Sequence, residues 1–279
     1  MSVGLLLIVS FAGAVGAFMD AVAGMGFGAF SSTIMVVGGL SPVLVVGTIN
    51  LAKVSTGLVE GLSHWRFGNI RWAWVTPLAL PAVAGGIAAA MLLTHLPVGV
   101  LRTVMPLILL GMGALILRRF LFGALLLPRV AGGSQAQVLA VPQGRWHGLG
   151  HAWVKASPNL RMGGIGMVAG ALNGISGAFG PFATSAVLLT NPGLPPRYAI
   201  GTVNFVEFFV AAAISATLLL QVGWAGFQWQ LLVALMAGSI LTAPLGAYLS
   251  RRVPARALGI LVGVALIGVN VWSLVRATM

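Results

Sequence analysis

The sequence predicts an all-α polytopic membrane protein, with about ten membrane segments arranged as two inverted five-segment repeats. Two observations of composition predict the class. Only 6% of the 279 residues are charged, whereas about 25% are charged in an ordinary soluble domain, and the mean hydropathy is +1.04. A third observation, a glycine-rich pattern that occurs in both halves of the chain, predicts the repeats.

Ten apolar runs divide the chain, and a membrane-crossing helix needs roughly 20 such residues. The runs cover residues 3–20, 26–38, 42–63, 72–94, 98–118, 162–176, 180–192, 196–220, 228–249 and 255–276. No Lys or Arg precedes Lys53, so the first run lacks the basic flank of a signal peptide and is predicted to be a retained helix. The second and seventh runs are short and follow Gly-rich breaks. We expect them to be half-helices, or re-entrant hairpins with the preceding segment.

A basic connection separates the two groups of segments. We predict an N-terminal repeat at 1–118, a linker at 119–161 and a C-terminal repeat at 162–279. The linker has two tryptophans and no acidic residue, which favours a cytoplasmic segment lying partly on the lipid surface. His147 and His151 have helical metal-ligand spacing, but no carboxylate is near them in sequence. No metal site is therefore predicted.

Basic residues are concentrated on one side of the predicted membrane. If all ten segments cross, that side receives Arg66, Arg71, Arg118, Arg119, Arg129, Arg145, Lys155, Arg161, Arg197, Arg251, Arg252 and Arg256. The other side receives only Arg102, Arg276 and His95. The positive-inside rule then places the basic side in the cytoplasm and both termini outside.

A shift of 154 positions aligns 16–50 with the second half of the chain without a gap. The identical pairs in this register include Ser31/Ser185, Pro42/Pro196 and the motif G-T-x-N at 47–50 and 201–204. Five segments in each copy is an odd number, so the second copy enters the membrane from the opposite side. Inverted repeats of this kind occur in many secondary transporters. A duplicated scaffold without a transport role is the alternative.

The chain has three acidic side chains, Asp20, Glu60 and Glu207. An ionisable group inside the bilayer costs at least about 2.5–3.5 kcal/mol on insertion scales, so it is a functional candidate. Lys53 and Glu207 lie near the middle of repeat-related segments. Either Lys53 attracts an anionic substrate while Glu207 responds to protons, or the two form a buried ion pair that holds the repeats together. Asp20 and Glu207 are the candidates for coupling transport to protons or sodium.

Two neutral amides accompany these charges. Asn50 shares a helical face with Lys53, and Asn204 shares one with Glu207. Amides in matching positions can donate hydrogen bonds to an anion, or they can join helices to each other. Both interpretations remain open.

The Gly-rich breaks near 24–28 and 177–181 are expected to start half-helices, whose unpaired N–H groups and dipole attract anions. The residues expected to line this substrate site are small or carry hydroxyl groups: Gly26, Gly28, Ser31, Ser32, Gly180, Thr184 and Ser185. The alternative is that these small residues serve close helix packing.

Both breaks, GAVGAFMDAVAGMGFGAFSS and GMVAGALNGISGAFGPFATS, lead to a proline and then to G-T-x-N. This pattern resembles the TauE/SafE family of membrane transporters, also called the toluene sulfonate uptake permease family, over nearly the whole chain apart from the linker. The resemblance implies alternating-access transport of a small sulfur-containing anion, such as sulfite, sulfoacetate or another organosulfonate. It also implies a bacterial inner (plasma) membrane.

The motifs of common enzymes are missing from the chain: it has no HExxH, no P-loop and no G-x-S-x-G. We therefore expect no enzyme activity and no cofactor. The +12 net charge does not predict a nucleic-acid partner, because the basic residues lie between apolar segments. The expected partners are a small anion and membrane lipid. A passive anion channel and a non-transporting scaffold subunit remain the alternatives.

Overall fold

The computed structural model describes residues 3–122, 157–191, 195–249 and 255–278. The described part contains ten α-helices and a short 3₁₀ helix at Trp224–Gly226. The α-helices are α1 (Val3–Ala23), α2 (Phe27–Val37), α3 (Pro42–Arg66), α4 (Trp72–His95), α5 (Val98–Phe122), α6 (Pro158–Ser176), α7 (Gly180–Thr190), α8 (Pro196–Val222), α9 (Trp229–Leu249) and α10 (Ala255–Thr278).

Each predicted apolar run corresponds to one of these helices, so the all-helical prediction is confirmed. Five helices, α1, α3, α4, α5 and α8, are long and apolar enough to cross a membrane, and shorter apolar helices accompany them. The protein is an integral membrane protein. Both ends of the predicted linker are helical, because α5 continues to Phe122 and α6 begins at Pro158. The rest of the linker, including His147 and His151, lies outside the described residues.

Proline lies in the first turn of four of the described helices, where its missing N–H costs no intrahelical hydrogen bond. These prolines are Pro42 in α3, Pro158 in α6, Pro181 in α7 and Pro196 in α8. Before α6, the Ser157 side chain also accepts a hydrogen bond of 3.3 Å from the Leu160 backbone N–H. These positions fix where the chain re-enters a helix after each connection.

The two predicted breaks are present between α1 and α2 and between α6 and α7. Gly24 and Gly177 adopt φ angles of +67° and +74° there, a left-handed conformation that glycine tolerates and other residues rarely adopt. The following helices, α2 and α7, each have 11 residues and are roughly 16 Å long. Each is therefore about half as long as a hydrocarbon core of ~30 Å is thick.

The helices of each half of the chain pack mainly against helices of the other half. The most extensive contacts join α4 to α6, α1 to α9, α5 to α10 and α3 to α8. Glycines allow the helices to approach closely: a Cβ atom at Gly170 would collide with the Ala82 carbonyl, and one at Gly238 with the Ser10 carbonyl. Small residues at helix contacts are typical of membrane proteins, where dispersion and close approach stabilise packing.

The glycines of the repeated G-T-x-N motif have an equivalent packing role. Gly47 on α3 faces the Phe227 ring, in the turn before α9, and Gly201 on α8 faces the Asn69 backbone, before α4. Next to Gly201, the Thr202 hydroxyl accepts a hydrogen bond of 2.9 Å from the Arg71 backbone N–H. Each copy of the G-T-x-N motif therefore lies where one half of the chain contacts the start of a helix from the other half.

A pair of glycine substitutions tests this packing. Gly170→Ala places a methyl group against the α4 backbone, and overpacking of this kind costs about 1–3 kcal/mol. Gly111→Ala is the matched control, since Gly111 is exposed on α5 and faces open space. We expect the melting temperature of the detergent-solubilised protein to fall for Gly170→Ala and to stay near that of the wild type for Gly111→Ala. Equal melting temperatures for both variants would contradict the packing account.

Candidate functional site

All three acidic side chains of the chain converge on Lys53. The Lys53 Nζ donates hydrogen bonds to Asp20 Oδ2 and, at 3.0 Å, to Glu60 Oε2. Glu207 Oε2 lies 3.5 Å from the same nitrogen. None of these four residues is more than 8% exposed. We call this group, Asp20, Lys53, Glu60 and Glu207, the Lys53 cluster.

Three long helices supply the Lys53 cluster. Lys53 and Glu60 are seven positions apart on α3, about two helical turns, and therefore share a face. Asp20 comes from the last turns of α1, and Glu207 comes from α8. The Lys53 ammonium also lies 5.4 Å from the ring centroid of Phe27, the first residue of α2. The cluster therefore links α1, α3 and α8 beside the start of the first half-helix.

The charges of the Lys53 cluster do not balance when every group is ionised. Three carboxylates and one ammonium would leave a net charge of −2. Uncompensated charge is strongly unfavourable in a buried, poorly solvated place. Glu60 Oε1 and Glu207 Oε2 have no hydrogen-bond partner among the described residues. These oxygens offer places where added protons would remove the excess negative charge.

The two helix breaks contact each other close to the cluster. The Ser32 hydroxyl on α2 donates to the Ser176 carbonyl, at 2.5 Å, just before the second break. Reciprocally, the Thr184 hydroxyl on α7 donates to the Gly24 carbonyl, at 3.0 Å, in the first break. A Cβ atom at Gly28 would collide with the backbone of the second break. Each half-helix is therefore held by the break of the other half.

Three of the four hydroxyl groups predicted to bind substrate donate hydrogen bonds to backbone carbonyls of the protein itself. Ser31 donates to the Ala12 carbonyl at 3.3 Å, and Ser32 and Thr184 are engaged as described above. This geometry favours helix packing for these three. Ser185 differs, since its hydroxyl is buried without a hydrogen-bond partner among the described residues. The role of all four in substrate binding stays a prediction.

The two repeat-related amides have different surroundings. Asn50 Oδ1 accepts a hydrogen bond of 2.9 Å from Asn173 Nδ2, and Asn50 Nδ2 donates to the Val46 carbonyl, also at 2.9 Å. Asn204 is 1% exposed, yet neither its amide nitrogen nor its oxygen has a partner in the described part of the chain. In the repeat register the counterpart of Asn173 is Met19, which has no amide to offer.

The predicted site did not include two of the residues that the structure brings together, Glu60 and Asn173. Glu60 continues the face of Asn50 and Lys53 on α3, so its position seven residues beyond Lys53 was a usable signal. Asn173 is the only amide or ionisable side chain in the apolar run 162–176, and such a group is unusual in a membrane helix. Its partner on α3 could not be deduced from that alone.

A family model described as "Sulfite exporter TauE/SafE" matches residues 9–272. The chain belongs to the TauE/SafE sulfite exporter family. The resemblance inferred from the Gly-rich breaks is thereby confirmed, and so is the expectation that the protein is no enzyme, because TauE/SafE is a transporter family. The family implies a small anion substrate such as sulfite.

Curated relatives agree with this assignment. The TauE/SafE chain is 31% identical to "Probable membrane transporter protein YtnM" of Bacillus subtilis (strain 168) over 271 residues, which cover 97% of this chain and 83% of the relative. It is 30% identical to "Probable membrane transporter protein ORF9" of Sinorhizobium sp over 107 residues, 38% of this chain and 41% of that one. No solved structure matches the chain with statistical significance.

Replacing the lysine tests whether it holds the carboxylates together. Lys53→Met leaves three buried carboxylates without their cation, and breaking a buried ion pair in this way costs about 3–5 kcal/mol. We expect a markedly lower melting temperature, partly restored when Asp20→Asn removes one carboxylate from the same variant. The control is Arg102→Met, which removes an exposed cation. If the melting temperatures of Lys53→Met and Arg102→Met are alike, the cluster has no structural role.

Proposed function

We propose that this TauE/SafE protein is a secondary transporter that carries a small sulfur-containing anion across a bacterial inner membrane. Sulfite, sulfoacetate and other organosulfonates are the candidate substrates, and protons are the proposed coupling ion. The observation that carries the proposal is the Lys53 cluster, where three carboxylates surround one lysine beside the crossing of two helix breaks. Its excess of carboxylates over cations suits proton binding and release.

The packing of the helices supports an inverted repeat with alternating access. The first helix of each half packs along the fourth helix of the other half, as α1 with α9 and α6 with α4. The third helices pack together, α3 with α8, and so do the fifth, α5 with α10. A pseudo-two-fold axis produces this exchange of partners. Transporters built this way hold substrate at the repeat interface and move one unit against the other.

The substrate is proposed to bind where the two breaks meet, at the interface of the repeats. Broken helices line the substrate sites of many such transporters. The proposed lining keeps the residues predicted from the sequence: Asn50, Lys53, Asn204, Glu207, Ser31, Ser32, Thr184, Ser185, Gly26, Gly28 and Gly180. The buried Asn204 and Ser185 side chains are free to bind a ligand, as they have no hydrogen-bond partner among the described residues.

Proton coupling follows from the charge of the Lys53 cluster. When all groups are ionised, the cluster repels an anion. When protons neutralise two of the carboxylates, this repulsion disappears and an anion can approach. The groups that face the cluster come from α1 (Asp20), α3 (Lys53 and Glu60) and α8 (Glu207). His64 is the next titratable residue along α3, and it faces Asn69, with 3.4 Å between its Nδ1 and the Asn69 Nδ2.

Purified protein in liposomes tests transport and coupling together. We expect an inward proton gradient to drive accumulation of one anion from a panel of sulfite and organosulfonates. Glu207→Gln, which cannot release a proton, should still equilibrate that anion but should lose gradient-driven accumulation, and Glu207→Asp should restore part of it. Equilibration alone in the wild type would favour a passive channel. No flux for any anion would favour the scaffold alternative.

The proposed orientation has its own test, because the chain contains no cysteine and gives no labelling background. Phe67→Cys lies in the exposed turn between α3 and α4, and Gly99→Cys lies at the exposed start of α5. With a membrane-impermeant maleimide, we expect intact cells to label Gly99→Cys only and broken cells to label both. Labelling of Phe67→Cys in intact cells would reverse the proposed topology.

A further inference from the structure

Arg119 on α5 is a largely buried cation without an acidic partner. Its Nη1 contacts the Met25 sulfur at 3.3 Å, and methionine sulfur is only a weak acceptor. Its Nη2 is buried and has no hydrogen-bond partner in the described residues. All three acidic side chains of the chain are already engaged with Lys53. No acidic side chain pairs with Arg119, which leaves its guanidinium available to an anion from outside the chain.

The position of Arg119 connects it with the first helix break. Met25, which Arg119 contacts, lies within that break, between the end of α1 and the start of α2. On the α8 side, Ile200 packs against Gly24 of the same break. Asn204 lies one turn farther along the same face of α8. The break is therefore flanked by an unneutralised guanidinium and by an amide that is 1% exposed and has no partner among the described residues.

The groups around this break are suited to an anion. The first N–H groups of α2 have no side-chain cap, and the N-terminus of a helix favours negative charge. Asn204 can add an N–H donor, and a guanidinium donates two parallel hydrogen bonds to an oxyanion. Asp20, on the other hand, lies in the last turns of α1 and is held by Lys53. The lysine thus balances carboxylates and leaves the guanidinium for an external anion.

We infer that the first break holds a small oxyanion, with Arg119 as its charge partner and Asn204 as a hydrogen-bond donor. The ligand class is a sulfur oxyanion with several equivalent oxygens, such as sulfite or a sulfonate. This inference deepens the proposed function and rests on it. The two cations of the site then have different roles: Arg119 supplies the charge that binds the anion, and Lys53, in the lining of the same site, holds the carboxylates that exchange protons.

Binding measurements on purified protein test this division without requiring transport. Wild type, Arg119→Gln, Arg119→Lys and Arg118→Gln are placed in nanodiscs of zwitterionic lipid and titrated with sulfite and sulfoacetate by calorimetry. Arg118→Gln is the matched control, because it removes the same charge from the adjacent, exposed position. We expect Arg119→Gln to weaken binding by about tenfold or more, Arg119→Lys to weaken it less, and Arg118→Gln to bind like the wild type. Equal affinities for Arg119→Gln and Arg118→Gln would overturn the inference.

A second measurement uses the wild-type protein and so does not depend on the folding of a variant. Phenylglyoxal modifies arginine, and mass spectrometry follows its reaction with Arg119. We expect sulfoacetate to slow this reaction at Arg119 and not at Arg118. If phosphatidylglycerol protects Arg119 and sulfoacetate does not, the anion is a lipid phosphate and the inference is wrong. Binding of sulfoacetate at Arg119 without any flux in liposomes would support the site and count against the transport proposal.

Discussion

Lys53 is the partner of every acidic side chain in this protein, and this constraint brings α1, α3 and α8 together. A carboxylate buried among apolar helices requires a cation or a proton. With one lysine in the described helices for three carboxylates, α1, α3 and α8 have to meet at one place. The meeting point lies beside the start of α2, because the Lys53 ammonium lies over the Phe27 ring. Charge balance thus places the broken helix next to the three acidic side chains of the chain.

The breaks and the Lys53 cluster depend on each other through close backbone contacts. Gly28 lets the two breaks cross at a distance that a side chain would prevent, and Gly180 lies in tight contact with the Gly24 carbonyl. The crossing uses Ser32 and Thr184 as hydrogen-bond donors to backbone carbonyls. A movement of one half of the chain relative to the other would strain these contacts and the ion pairs of the cluster together. A change of charge at the cluster can therefore favour one arrangement of the halves over another.

The sequence was sufficient to predict the helices, because long apolar runs bounded by glycine and proline depend on local chemistry alone. The repeat also brought Lys53 and Glu207 to related positions, and the structure has them 3.5 Å apart. The sequence could not show that Asp20 and Glu60 share the same lysine, since that depends on which face of α1 packs against α3. The two halves also differ at aligned positions: Asp20 matches Gly174, and Asn173 matches Met19. For this reason Asn50 has an amide partner, whereas Asn204 has none among the described residues, a difference that a symmetric interpretation of the repeat would miss.

The proposed transport requires that binding of an anion be linked to protonation of the Lys53 cluster. Proton uptake on ligand binding measures this link directly, in weakly buffered detergent solution with a pH indicator. Sulfoacetate is a suitable ligand, because its acidic groups stay ionised near neutral pH and contribute no protons of their own. We expect the protein to take up protons as sulfoacetate binds, up to the two that would neutralise the cluster. Saturable binding with no proton uptake, or with proton release, would contradict it.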